Sequence, residues 1–316
     1  MVARTRYAPD RGLTARMTAT MFLLGLVFVA FVAAIVFILG AVHASGGVIV
    51  LAAVVLGGGI AIGSLFYSDK IALSTAGAQI VTPQQAPELH GVVDRICALA
   101  DMPKPRIAIS PTDIPNAFAT GRNTKKSVLC VTDGLLRRLN REELEGVIAH
   151  ELSHVAHKDV TVMTVASFLA IIAGLLIRFS FYGELFGGGG RRNSNDQNSG
   201  LILLAILAVS VVVYAISFLL IRLLSRYREL AADRSGALLT GQPSALSSAL
   251  QKVSGTIARI PTKDLREAQP LNAFFFAPAL SARDAQSKVA ALFSTHPPLE
   301  KRLAQLAKIS QQLSRQ

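Results

Sequence analysis

The sequence predicts a mainly α-helical, polytopic membrane protein with a small β-sheet in its polar part, and three observations carry that prediction. Hydrophobic residues make up 51% of the 316 residues and charged residues only 16%, against about 25% charged in ordinary soluble domains. The apolar excess is gathered in long uncharged runs, which assigns it to a bilayer rather than to an enlarged core. Lys and Arg outnumber Asp and Glu by 32 to 20, and the surplus lies beside those runs. Residues 1–16 carry four basic and one acidic side chain and residues 222–316 carry fourteen and six, whereas residues 69–159 carry eleven of each. This follows the positive-inside bias of membrane proteins and sets nucleic-acid binding aside.

Taken in order, residues 1–16 read as a cytoplasmic tail with Arg4, Arg6, Arg11 and Arg16. Met17–Ser68 contains no Asp, Glu, Lys or Arg and is long enough for two spans of ~20 residues, turning at His43–Gly47. A cleaved leader has an apolar core of only ~7–15 residues, so 17–68 reads as a transmembrane hairpin with both ends cytoplasmic. Residues 160–224 read as a second hairpin, with runs at Val160–Ile177 and Leu201–Ile221 and a Gly-rich loop over 178–200. These two runs are short enough to lie in the interface or a core instead, and spanning is preferred because Arg222, Arg226 and Arg228 mark an inner end. Arg191 and Arg192 then fall outside, against the bias.

Between the hairpins, residues 69–159 read as a cytoplasmic catalytic segment, completed by residues 225–316. Leu89–Asp101 has helical apolar spacing. Arg106–Ser110 and Ser127–Val131 read as strands, with Asn116–Thr120 as a further strand between them. Asn140 and Glu143 form a capping box that opens the next helix. Cys97 and Cys130 lack any ligand spacing and read as reduced core residues.

That helix carries the chemistry. His150-Glu151-Leu152-Ser153-His154 is an H-E-x-x-H pattern: two imidazoles at i and i+4 share one helix face and can bind one ion, and the neighbouring Glu can take a proton from water at the ion. A catalytic zinc takes three protein ligands and keeps one position open. The extended pattern with a Gly and a third His is excluded, because His157 and Val160 stand where it requires Gly and His. Glu229 and Asp233 offer a second i, i+4 pair, the Glu as ligand and the Asp as acceptor from a ligand imidazole. His157 is the competing ligand, and Glu229 has the alternative of a surface ion pair with Arg226 or Arg228. An antiparallel pair of spans would bring His154 and Glu229 to the same side of the membrane, so the metal and hairpin readings support each other. His90 reads as lying on a polar helix face, and Asp159 as a membrane-boundary charge or local partner.

Together with Asn116–Gly121, Gly146–Asp159, Glu229–Asp233 and Thr295–Arg302, these features make the chain similar to the HtpX-type membrane zinc metallopeptidases. These are gluzincins related to the CAAX prenyl protease. The resemblance implies a zincin-like domain with one Zn²⁺ per subunit held by His150, His154 and Glu229. It implies Glu151 as the base, Asp233 as support for a ligand histidine, and His296 and Arg302 beside the scissile carbonyl. It also implies Asn116, Ala117, Phe118 and Ala119 as the strand that pairs with an extended substrate. The implied role is cleavage of damaged membrane proteins at the bacterial inner membrane, with the active site cytoplasmic, in quality control and stress response. On the residues alone, Pro297-Pro298 can simply start a helix with His296 at its entry, and Asn116–Thr120 can be an ordinary hairpin strand. A CAAX-type processing protease and a membrane assembly factor with structural zinc are the rival readings. The first uses more spans than four, and the second leaves Glu151 without a role.

Overall fold

The computed structural model describes residues 11–41, 47–187, 197–260 and 295–315. Helices α1 (Arg11–Ala41) and α2 (Gly47–Thr75) are followed by β1 (Gln79–Ile80), α3 (Pro87–Ala100), β2 (Arg106–Ser110), β3 (Ala117–Asn123) and β4 (Lys126–Thr132). Then come α4 (Asp133–Leu136), α5 (Arg141–Ala156), α6 (Asp159–Gly187), α7 (Gln197–Thr240), α8 (Pro243–Ile257) and α9 (Leu299–Leu313). The chain divides into two compact units, Met17–Ser64 with Val162–Leu224, and Met1–Arg16 with Leu65–Thr161 and Ser225–Gln316.

The first unit consists of helical segments with apolar residues on both inside and outside. Phe31, Ile35, Leu169, Ile172, Leu176 and Ile206 form its buried core, while Phe22, Phe37, Val55 and Leu201 are each more than 60% exposed. An apolar exterior on this scale suits lipid rather than water. Four helices, over Arg11–Leu39, Val50–Thr75, Asp159–Phe181 and Leu201–Thr240, are long and apolar enough to cross a membrane.

The helices outrun the apolar runs read from the sequence. Helix α1 starts inside the expected tail, at Arg11, and α2 continues past Ser68 to Thr75. The expected loop over 178–200 is helical to Gly187 and again from Gln197; residues 178–186 contain no Pro and a single Gly, so nothing there stops the helix. Arg4, Arg6, His43, Arg191 and Arg192 lie outside the described residues.

The second unit holds a four-stranded sheet in the order β1-β2-β4-β3, in which β2 and β4 are parallel and the other pairs antiparallel. Strand alternation sorts the side chains. Ile107, Leu129 and Val131 join Ile96 of α3, Val147, Ile148 and Leu152 of α5, Leu246 and Leu250 of α8 and Leu306 of α9 in one core. Ala108, Phe118, Val128 and Cys130 face the other way and meet Ala72 of α2. Both cysteines are free and buried. Strand β3 is thereby an edge strand lying next to α5.

Helix α5 begins as its cap predicts: Asn140 Oδ1 accepts from the Glu143 N–H at 2.9 Å, and Glu143 Oε2 accepts from the Asn140 N–H at 3.0 Å. Buried Glu143 also accepts from Ser248 at 2.6 Å and Lys252 at 2.8 Å, tying the helix start to α8. The helix stops at His157, and Lys158 takes a left-handed φ of 56°, so the chain turns before α6. His90, expected on a polar face, is buried with Nε2 3.1 Å from the Val81 carbonyl oxygen, in the segment that follows the short β1.

Gly236 of α7 faces the backbone of α5, where an added Cβ would stand 2.9 Å from His150 N. Such a contact forces backbone apart. Gly236→Ala is expected to lower the melting temperature of the purified protein by several degrees and to weaken metal binding, checked by thermal unfolding and metal analysis.

Candidate active site

Helix α5 presents His150, Glu151 and His154, and α7 presents Glu229 and Asp233 one turn apart. Each histidine is oriented through its Nδ1. His150 Nδ1 stands 2.9 Å from Asp233 Oδ1, and His154 Nδ1 stands 2.5 Å from Asp159 Oδ2. Each carboxylate is in turn held by an arginine: Asp233 accepts from Arg302 Nε at 2.7 Å and Nη2 at 2.6 Å, and Asp159 pairs with Arg228 Nη2 at 2.7 Å. A carboxylate on Nδ1 fixes the imidazole tautomer that turns the Nε2 lone pair to a metal.

The two Nε2 atoms then face one another at 3.3 Å. Glu229 Oε1 is 3.4 Å from His154 Nε2, and Glu229 Oε2 is 3.8 Å from His150 Nε2. Two lone pairs directed at each other repel unless a cation lies between them. Ligands at ~2.05 Å from one tetrahedral centre stand ~3.3 Å apart, so the spacing fits a shared ion. Among the described residues, His150, His154 and Glu229 form a group able to hold a metal, with donor atoms within 4.8 Å of one another.

Glu151 is buried on the same helix and accepts the Ala119 N–H of β3 at 3.1 Å. Burial pushes its carboxyl up to about 8. Burial also lowers the pKa of His150 despite the opposing Asp233. For His154, burial works in the same direction, but the Asp159 hydrogen bond and the Asp159, Glu229 and Glu151 charges outweigh it and raise the value.

The candidate residues do not all occupy the places expected of them. His296 meets the cluster, its Nδ1 3.0 Å from Glu229 Oε2. Arg302 is 1% exposed and bidentate on Asp233 through Nε and Nη2, with Nη1 3.7 Å from Glu229 Oε2, so the structure places it among the site's carboxylates. A buried guanidinium without that partner would carry a large desolvation cost. Arg228 pairs with Asp159 and leaves Glu229 to the histidines, against the surface ion pair weighed above. His157 caps α5 and stands outside the metal-binding group. In the strand, Phe118 points into the core and Asn116 pairs with Thr132 through its backbone, N to Oγ1 at 2.9 Å and O to N at 3.0 Å. With Asn116 turned to β4, Ala117 and Ala119 direct their backbone groups away from β4; Ala117 is buried, and the Ala119 N–H is taken by Glu151. Asp159, read from the sequence as a membrane-boundary charge or local partner, is the local partner of His154; what sequence reasoning missed is that Arg228 holds it there.

Residues 83–310 match the profile of peptidase family M48. Protease HtpX homolog 1 of Streptomyces coelicolor is 57% identical over 98% of this chain and 97% of its own length. Protease HtpX homolog of Moorella thermoacetica is 49% identical over 98% of each chain, and protease HtpX homolog 2 of Methanosarcina mazei 46% identical over 98% of this chain and 100% of its own. The likeness therefore includes the apolar helices as well as the site.

Two outcomes follow from the geometry. Asp159→Asn, which keeps the shape and loses the charge, is expected to lower metal affinity about 10- to 100-fold, measured by competition with a chromophoric chelator. The second concerns pH in the metal-free protein. An unfolded Glu151 ionises above 4.5, whereas the folded carboxyl holds its proton to about 8, so its contribution falls as pH rises through that window. Glu151→Gln removes the loss: the metal-free variant should melt above its parent, with a wider gap near pH ~8 than near pH ~5.

Proposed function

The chain belongs to peptidase family M48, and from that premise we propose a membrane-bound, zinc-dependent endopeptidase that cleaves membrane proteins at the cytoplasmic face. The observation that carries this reading is the convergence of two buried imidazole Nε2 atoms and the Glu229 carboxylate beside a base, Glu151. The donor set of two imidazoles and one carboxylate is that of a catalytic zinc with one position open. When bound, zinc supplies a Lewis acid that polarises a carbonyl and draws the pKa of water towards ~7.

The chain's own residues do the rest. Glu151 takes the proton of the attacking water and returns it to the leaving amine; its buried carboxyl, tethered to Ala119, is suited to hold that proton between the two steps. The edge of β3 away from β4, with the Ala119 carbonyl, would take an extended substrate through its main chain with little demand on its sequence. His296 is the donor nearest the cluster for a developing oxyanion, while Arg302 acts through Asp233 on His150. Arg228 does the same through Asp159 on His154. Basic residues at the inner ends of the apolar runs support a cytoplasmic site, and the pairing of site and membrane helices supports damaged membrane proteins as substrates, as in quality control under stress.

The test compares full-length protein with two variants. Glu151→Gln should retain one zinc per chain and lose cleavage of unfolded casein by at least ~100-fold, and Glu229→Ala should lose the zinc itself. Chelation should abolish wild-type cleavage and added zinc restore it. Full proteolysis by Glu151→Gln would sink the mechanism.

A further inference from the structure

The β3–β4 hairpin carries a charge cluster that the proposed chemistry does not use. Its tip reads Arg122-Asn123-Thr124-Lys125-Lys126, and no acidic residue occurs between Asp113 and Asp133. Lys125 and Lys126 are exposed. Two contacts fix the level at which this tip stands. The Arg122 guanidinium lies over the Phe66 ring, 4.5 Å from its centroid, and the Arg122 carbonyl accepts a 3.2 Å hydrogen bond from the Thr161 hydroxyl. Phe66 falls just inside the end of the uncharged stretch Met17–Ser68, and Thr161 just inside the apolar run that opens at Val160. Arg122 thus touches the membrane-boundary positions of two different helices. Beside it, Phe66 and Tyr67 are 53% and 56% exposed, and Lys70 Nζ lies 5.6 Å from the Tyr67 ring centroid. Exposed aromatic rings with cations at the end of a span are the side chains of a bilayer–water interface.

The geometry points to this hairpin tip as a binding surface for anionic phospholipid headgroups, with Lys125 and Lys126 as the contacting charges and Arg122 as the strut that sets their depth. Each basic side chain near an anionic membrane surface is worth on the order of a fivefold gain in association, so two exposed lysines distinguish an acidic from a neutral bilayer. The strand that carries the tip also carries Ala119, whose N–H meets Glu151; lipid contact would steady that edge from its far end. The inference rests on the membrane reading of the four apolar helices and is independent of the peptidase reading. An acidic stretch of polypeptide is the rival occupant, and the Phe66 and Thr161 contacts favour lipid because they hold the tip at headgroup level.

The experiment uses full-length protein with Thr124→Cys carrying an environment-sensitive fluorophore, since the thiols of Cys97 and Cys130 are buried. It is placed in nanodiscs of phosphatidylcholine alone or mixed with phosphatidylglycerol. The acidic lipid is expected to shift the emission to the blue and to raise quenching by headgroup-labelled lipid several-fold. Adding K125E and K126E should remove that response, and the neutral pair K125Q and K126Q should leave it intermediate. Equal quenching in the two lipids, or a full response in the reversed-charge variant, overturns the inference. An equal shift caused by inorganic phosphate or a soluble acidic peptide in phosphatidylcholine discs also overturns it, in favour of a general anion or peptide surface. Retained metal and melting temperature certify the variants. Casein cleavage in detergent should be unchanged by K125E and K126E, so failure of the lipid contact and failure of the peptidase reading give different results.

Discussion

Two imidazole nitrogens facing each other at 3.3 Å set the terms for everything around them. They are driven into that position because both Nδ1 atoms are committed to buried carboxylates, Asp233 and Asp159, and those carboxylates are committed to Arg302 and Arg228. Glu151, Glu229, Asp233 and Asp159 are all buried. Four carboxylates against two guanidiniums leave two negative charges, which is the charge of one divalent cation. Burial raises the Glu151 carboxyl to about 8, with the Glu229 charge adding to it, so without the cation a proton on Glu151 relieves part of the excess while Glu229 is held by His296 and Arg302. With the cation, the same carboxyl is free to exchange that proton with a reactant. The site is therefore built so that metal binding and the readiness of the base are one electrostatic arrangement.

What the sequence disclosed, it disclosed through local spacing. His150 and His154, Glu229 and Asp233, and the Asn140–Glu143 cap are all relations within a helical turn, and the strands around Ile107 and Leu129 are short apolar runs whose nearly continuous burial reflects a sheet covered on both faces. The remaining features depend on separations that no window covers. Arg302 reaches Asp233 across the chain, whereas the family resemblance alone implies a place for it beside the scissile carbonyl. Asp159 reaches His154 only because Lys158 adopts a left-handed conformation without being a glycine, which redirects the chain within a single residue. His90 is buried and meets the Val81 carbonyl, just beyond β1, a strand of two residues with no periodicity to detect. Helix ends were misplaced for a related reason: apolar runs end where the hydrocarbon would end, whereas hydrogen-bonded helices continue into water until a cap or a turn stops them.

That continuation is what places the third ligand. Helix α7 runs unbroken over 44 residues from Gln197 to Thr240, so Glu229 and Asp233 stand on hydrogen-bonded helix and not on a loop. At ~1.5 Å and ~100° per residue, the height and facing of both carboxylates are fixed by the helix itself and not by a flexible connection. Gly236, whose missing side chain lets α7 approach His150, fixes the remaining distance. Asp159 is the first residue of α6 and Arg228 belongs to α7, so the ion pair that orients His154 also joins the starts of the two apolar helices' polar extensions. A loop-borne ligand would have to be ordered each time a metal binds, at an entropic cost for every residue fixed. Drawing His150 and His154 from α5 and Glu229 from α7, both continuous helices, removes that cost.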